Sequence, residues 1–296
     1  MTMIYQPAID TETITAIDVH THVEADDHHH TSLDQELLDA SAGYFRASVP
    51  RTPTVADLAD YYRERKMAAV IFTVDATTAL GGHPPVSSEM IAGQAAEHND
   101  VLIPFGSVDP RKPAEAVDRI RDLATNYGVR GMKFHPSLQG FDPSHSDYYP
   151  IYEVCAEHGL VALFHTGQTG IGAGLPGGRG IKLRYSDPML LDDVAADFPE
   201  LTMILAHPSV PWADASISIA THKANVFIDL SGWSPKYFPP QLTRAIGSML
   251  KEKALFGSDF PLITPERWIS DFEKLDVREE AVPLIMKENA LRVLGL

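Results

Sequence analysis

The sequence predicts a (β/α)8 barrel, the TIM-barrel architecture, with residues 1–296 forming one domain. Three observations predict it. Eight short apolar runs recur at fairly even spacing along 296 residues. Helix-patterned stretches fill most of the gaps between them. Four of the runs end abruptly at a His or an Asp, which is how a parallel strand delivers a side chain to the mouth of a barrel.

The runs fall at 16–19, 69–74, 102–108, 131–134, 160–164, 202–206, 226–230 and 254–256. Most are continuously apolar rather than alternating, as strands buried on both faces should be. Helical patterning covers 54–66, 87–98, 113–127, 147–158, 187–198, 239–251 and 278–294. Ser186-Asp187-Pro188 and Thr264-Pro265-Glu266 read as helix starts, and Gly128 and Gly159 as left-handed helix stops. A doubly wound sheet is the competing architecture, but no Gly-x-Gly-x-x-Gly follows the first run. Two connections are long and irregular: 23–53, and the glycine-rich 167–186. In a barrel both lie above the strand ends, where loops build pockets.

Composition narrows the function. The formal charge of −16 argues against a nucleic-acid or anionic-membrane surface, leaving a small-molecule substrate as the expected partner. Cys155 is the single cysteine, so no internal disulfide can form, and its apolar helical setting makes it a structural thiol. No basic segment precedes an apolar core at the start, and no run is long enough to cross a bilayer. A cytoplasmic protein is expected.

The strand ends carry the chemistry. His20 and His22 stand one residue apart in Asp18-Val19-His20-Thr21-His22, so a strand puts both on one face. Phe164-His165-Thr166-Gly167, Leu205-Ala206-His207-Pro208 and Gly257-Ser258-Asp259-Phe260-Pro261 follow at barrel-like intervals. Imidazole and carboxylate suit zinc, and also manganese, iron or cobalt. The same mouth receives Thr73 and Asp75, Asp109, Lys133 and His135, and Asp229 and Ser231. Asp109 reads as a turn residue, and Asp229 as either a partner to a ligand or a loop anchor. Lys133 and His135 share a face by parity and are candidates for binding substrate or a second metal. Trp233 and Arg184 are further candidates for the pocket wall, as are Arg46, Arg51, Arg179 and Lys182 for holding an anion. The run Asp26-Asp27-His28-His29-His30 reads as a solvated loop.

Taken together, the four strings resemble the amidohydrolase superfamily, and within it the amidohydrolase-related (amidohydrolase 2) group of metal-dependent hydrolases and decarboxylases. The resemblance covers essentially the whole chain. It implies a distorted, amidohydrolase-like barrel, one divalent metal held by His20, His22, His165 and Asp259, and His207 beside it. Zinc is the expected ion and manganese the alternative; a second ion enters if Lys133 is carboxylated, as the strand-four lysine is in binuclear members. The implied chemistry is hydrolysis, because a divalent metal lowers the pKa of bound water to about 7, with Asp259 and His207 as the catalytic acid–base groups. The expected substrate is a small carbonyl or acyl compound, with carbon–carbon hydrolysis of an aromatic β-keto compound as one form. The alternative is non-oxidative decarboxylation of an aromatic or unsaturated acid at the same metal site. Gly131-Met132-Lys133-Phe134-His135-Pro136 departs from the decarboxylase pattern and favours hydrolysis. A non-catalytic binding barrel is the reading from another class. By resemblance a homodimer is expected.

Overall fold

In the computed structural model, which describes residues 3–45 and 51–296, eight parallel strands run in the order of the sequence. They are β1 (Ala16–His22), β2 (Met67–Phe72), β3 (Leu102–Gly106), β4 (Gly131–Phe134), β5 (Val161–His165), β6 (Met203–Ala206), β7 (Val226–Asp229) and β8 (Ala254–Leu255). The barrel closes between its last and first strands. Val19 N–H donates to Phe256 O at 3.0 Å, Asp259 N–H to His20 O at 3.0 Å, and His22 N–H to Phe260 O at 2.8 Å. These bonds continue the ladder past the two residues of β8 and satisfy edge groups that would otherwise be unpaired. The expected barrel is therefore observed.

Apolar residues on the two strand faces form two cores. Val70, Ile103, Leu163 and Ile204 pack together on the face that carries the strand-end ligands. Ile71, Leu102, Phe134, Phe164 and Leu205 pack on the other face, against the helices. This two-sided burial explains why the strands read as unbroken apolar runs.

The helices are α1 (Gln35–Tyr44), α2 (Val55–Glu64), α3 (Ser88–Glu97), α4 (Pro113–Asp122), α5 (Pro136–Gln139), α6 (Tyr149–Glu157), α7 (Asp192–Asp197), α8 (Ala213–His222), α9 (Pro240–Ile246), α10 (Pro265–Phe272) and α11 (Asn289–Leu294). Most expected helices are present but shorter. The stretch 113–127 ends in a π turn, Leu123–Tyr127, closed by Gly128 at φ 73°. The stretch 278–294 breaks into a 3-10 turn, a π turn and α11. The 23–53 connection is less irregular than expected. Within it Asp34 caps α1 by accepting from Leu37 N–H at 3.0 Å, and Leu37 and Leu38 are buried. Between β6 and β7 the chain also forms α8, whose Ser, Thr and Ile content carries little helical propensity. Cys155 is buried in α6, where burial raises its pKa, as expected for an inert thiol.

No helix among the described residues is long and apolar enough to cross a membrane.

Candidate metal centre

β1 delivers His20 and His22 to the barrel mouth with ring centroids 5.3 Å apart. Asp259, just beyond β8, meets both: its Oδ1 lies 3.3 Å from His20 Nε2 and 3.1 Å from His22 Nε2. The three residues offer ligand atoms that all lie within 4.8 Å of one another. Their chain positions are distant, and the bonds that close the barrel bring them together. Asp259 takes a left-handed backbone, φ 69°, and so does His207, φ 73°. Such conformations cost a non-glycine residue about 1 kcal/mol or more and cluster at functional sites.

The expected fourth ligand, His165, does not join this close set. It reaches the centre through His207, whose Nε2 lies 2.9 Å from His165 Nδ1. Its other ring nitrogen, Nε2, is buried and has no hydrogen-bond partner among the described residues. The His165 ring stacks on that of His135 with centroids 3.7 Å apart. His207 also belongs to a second close trio with His20 and Asp229.

Burial sets the charge of these groups. It drives the pKa of His20, His135 and His165 well below the ordinary imidazole value, with Lys133 and neighbouring histidines adding to the effect at each. His207 is pushed down to about 4 by burial, against the pull of Asp259. Rings that stay neutral at neutral pH are in the form that ligates a cation. Burial alone would raise Asp259, but the His22 hydrogen bond, with His207, His22 and Lys133, outweighs it and holds the carboxyl below its usual value.

Lys133 is fully buried, and its Nζ donates to His20 Nε2 at 3.1 Å. Burial depresses its pKa, against the attraction of Asp259 and Asp229. The lysine thus places its amine against a candidate ligand atom. The unpartnered His165 nitrogen and the imidazole–carboxylate donor set together fit a divalent ion.

Asp229 proves to be a partner of His20: its Oδ2 accepts from His20 Nδ1 at 2.5 Å. This is the carboxylate–imidazole pairing that orients metal-ligating histidines. Ser231 donates to Asp229 through both N–H, at 2.8 Å, and Oγ, at 2.9 Å. Asp109 is a turn residue as expected, accepting from Thr78 N–H at 2.7 Å and Arg111 N–H at 3.0 Å.

The cavity above these groups has a volume of about 280 Å³. Trp233, His135 and Lys133 line it, and so does Arg51. Arg184 does not: it is exposed and packs on Tyr185, 4.9 Å from the ring centre. Its place in the sequence, just after the glycine-rich loop, suggested the pocket, but the 3-10 turn Leu183–Ser186 carries it outside. Arg179 is engaged by Asp34 and Glu36 on the surface. Arg46 lies outside the described residues. His28 and His29 are exposed, as a solvated loop predicts, and His30 Nε2 donates to Pro84 O.

Glu24 and Arg267 also line the cavity and were not singled out from sequence. Glu24 Oε1 lies 3.9 Å from His22 Nδ1, and burial raises its pKa. The parity argument that pairs His20 with His22 extends to position 24 and could have found it. Arg267 sits in the first turn of α10, and nothing local marks it.

The family model described as Amidohydrolase matches residues 17–296. Among solved structures, an uncharacterised TIM-barrel protein from Bordetella bronchiseptica is similar at TM-score 0.77 and 20% identity, covering 95% of this chain and 98% of its own. A dihydroxybenzoic acid decarboxylase from Polaromonas, solved with bound manganese and an inhibitor, is similar at TM-score 0.66 and 15% identity, covering 96% and 97%. A probable 2-pyrone-4,6-dicarboxylic acid hydrolase from Acinetobacter baumannii is similar at TM-score 0.62 and 15% identity, covering 96% and 100%. No curated protein matches the chain. With a family match from the first strand to the last residue, on a barrel that carries the His and Asp residues at its mouth, the chain belongs to the amidohydrolase family.

Proposed function

We propose that the protein is a metal-dependent hydrolase of a small carbonyl compound that carries an anionic group. The observation that carries this reading is Asp259: a buried carboxylate, held ionised, touching both His20 and His22. A carboxylate in that state can accept a proton at the outset, before it has one to pass on. Hydrolysis begins by removing a proton from water, and decarboxylation must end by delivering one to carbon.

His20, His22 and Asp259 would hold the ion, with His165 the next donor, and the ion is zinc or manganese by the chemistry of that set. When bound, it supplies Lewis acidity and acidifies a water. Asp259 then takes the proton of the attacking water. His207, neutral and beside it, passes that proton on to the leaving atom. Arg51 and Arg267 line the outer cavity, and among the described residues neither has a carboxylate partner, so each is available to a substrate anion. Trp233, Leu38 and Ile171 give the same cavity an apolar wall.

The test is product analysis in 18O-labelled water, using metal-loaded protein and a panel of aromatic and aliphatic keto acids, lactones and esters. Incorporation of one labelled oxygen per turnover is expected. Release of carbon dioxide with no label taken up would move the protein to the decarboxylases.

A further inference from the structure

A line of hydrogen bonds leads away from the ligand trio and ends at the unpartnered nitrogen of His165. Asp229 Oδ1 accepts from Ser231 N–H, and its Oδ2 accepts from Ser231 Oγ at 2.9 Å and from His20 Nδ1 at 2.5 Å. Ser231 Oγ also lies 3.0 Å from His207 Nδ1. His207 Nε2 lies 2.9 Å from His165 Nδ1. All five residues are buried.

The direction of these bonds can be decided by counting hydrogens. A carboxylate accepts only, and three donors point at Asp229. Burial raises its pKa to about 8, against the Ser231 bonds and Lys133, so the direction is decided at the far end of the line, at His165 Nε2. Ser231 has one hydroxyl hydrogen, and spending it on Asp229 makes its oxygen an acceptor toward His207. His207 must then carry its proton on Nδ1, which leaves Nε2 as an acceptor. His165 must carry its proton on Nδ1 to meet that acceptor, and its Nε2 is left as a bare lone pair. The reverse order takes a hydrogen away from Asp229 and strands a buried N–H on His165 Nε2. An unmet buried donor costs about 1–3 kcal/mol, whereas a lone pair is what a cation requires.

We propose that Ser231 is a positioning residue: its hydroxyl, fixed by Asp229, sets the tautomers of both His207 and His165 and so presents His165 Nε2 as a ligand. The final link rests on the metal-dependent reading given above; the tautomers themselves do not. Asp229 then serves two histidines at once, His20 directly and His207 through Ser231. The backbone supports the arrangement at Gly232 (φ 73°), where a Cβ would collide with His207 Nδ1.

The experiment has two readouts. The first is 15N NMR of the histidine rings in metal-free wild type, Ser231→Ala and Ser231→Thr. The second is Mn2+ titration of the same three proteins. Wild type should show Nδ1–H at both His207 and His165. Ser231→Ala should lose that single tautomer and bind Mn2+ about 10–100-fold more weakly, the usual effect of removing an outer-shell partner. Ser231→Thr, which keeps the hydroxyl, should restore both. Wild type protonated on Nε2 at His207 overturns the proposal without any variant, as do unchanged tautomers and Mn2+ affinity in Ser231→Ala. Wild type with the proposed tautomers that binds no Mn2+ sustains the relay and removes the metal reading.

Discussion

Asp18, near the start of the chain, accepts both the backbone N–H of Ser258, at 2.9 Å, and its hydroxyl, at 2.5 Å. Tyr62 OH and His20 N–H complete four bonds to this carboxylate, which is fully buried. The clasp lies at the seam where the barrel closes, one residue from Asp259. Burial lifts Asp18 to about 6, against all four donors. Ser258→Ala should therefore cost about 1–3 kcal/mol, because it removes a bond from a buried charged acceptor. Urea denaturation would measure it. A loss under about 0.5 kcal/mol would mean that Tyr62 and the backbone suffice.

The ligand trio predicts paired losses. Asp259→Asn and His20→Ala should each retain far less than one divalent ion per chain and lose more than about 100-fold in turnover. His165→Ala should weaken metal retention and abolish activity. Elemental analysis of tag-free protein, with turnover on any substrate found, checks both. Full metal and full turnover in His165→Ala would remove that residue from the site.

Lys133 gives a prediction with two signs. As an ammonium it competes with a cation for His20 Nε2. Lys133→Met should then tighten Mn2+ binding by at least about 10-fold, since a unit charge about 4 Å from a divalent ion costs about 2 kcal/mol even at the dielectric of bulk water. Weaker binding instead, with two ions per wild-type chain, would show the lysine acting as a carboxylated bridge.

Acid stability should report an ion pair that shares no residue with the trio. Arg119 on α4 grips Glu89 on α3 with two bonds, at 2.8 and 2.9 Å, and reaches Asp75 at 3.0 Å. Burial would raise Glu89, but the bonds from Arg119 and Ser87 prevail and hold it at about 2, below the ordinary 4.5. A depressed folded-state pKa contributes stability that is complete above the unfolded value and lost as pH falls from there toward the folded one. About 1–2 kcal/mol, discounted for partial exposure, should therefore disappear between pH 4.5 and 2. Glu89→Gln should remove that part of the acid slope in denaturation curves taken down the pH scale. An unchanged slope would show the pair to be screened.

The barrel is readable in the sequence because its strands are buried on both faces and so appear as apolar runs. The trio is readable because strand parity joins His20 to His22, and Asp259 follows the last apolar run by three residues, which sets a carboxylate just past a strand end. What stays hidden depends on distance in space. Nothing near Ser231 reveals that Asp229 and His207 compete for its one hydrogen, nor does anything near Asp18 reveal Ser258. Arg184 misleads because its neighbours in sequence suggest a pocket, while a 3-10 turn moves it outside. The 213–222 helix escapes a pattern-based reading because packing against α9 and β7, rather than propensity, supports it.

The closure of the barrel also orders events during synthesis. His20 and His22 emerge early, but their third partner arrives 237 residues after His22. A nascent chain can gather its two histidines and still lack a place for an ion until β8 docks against β1. Binding free energy available only to the closed form adds to the stability of that form and to no intermediate before it. The ion would thus act as a latch on the finished barrel, and its capture would mark the moment at which the two ends of the chain meet.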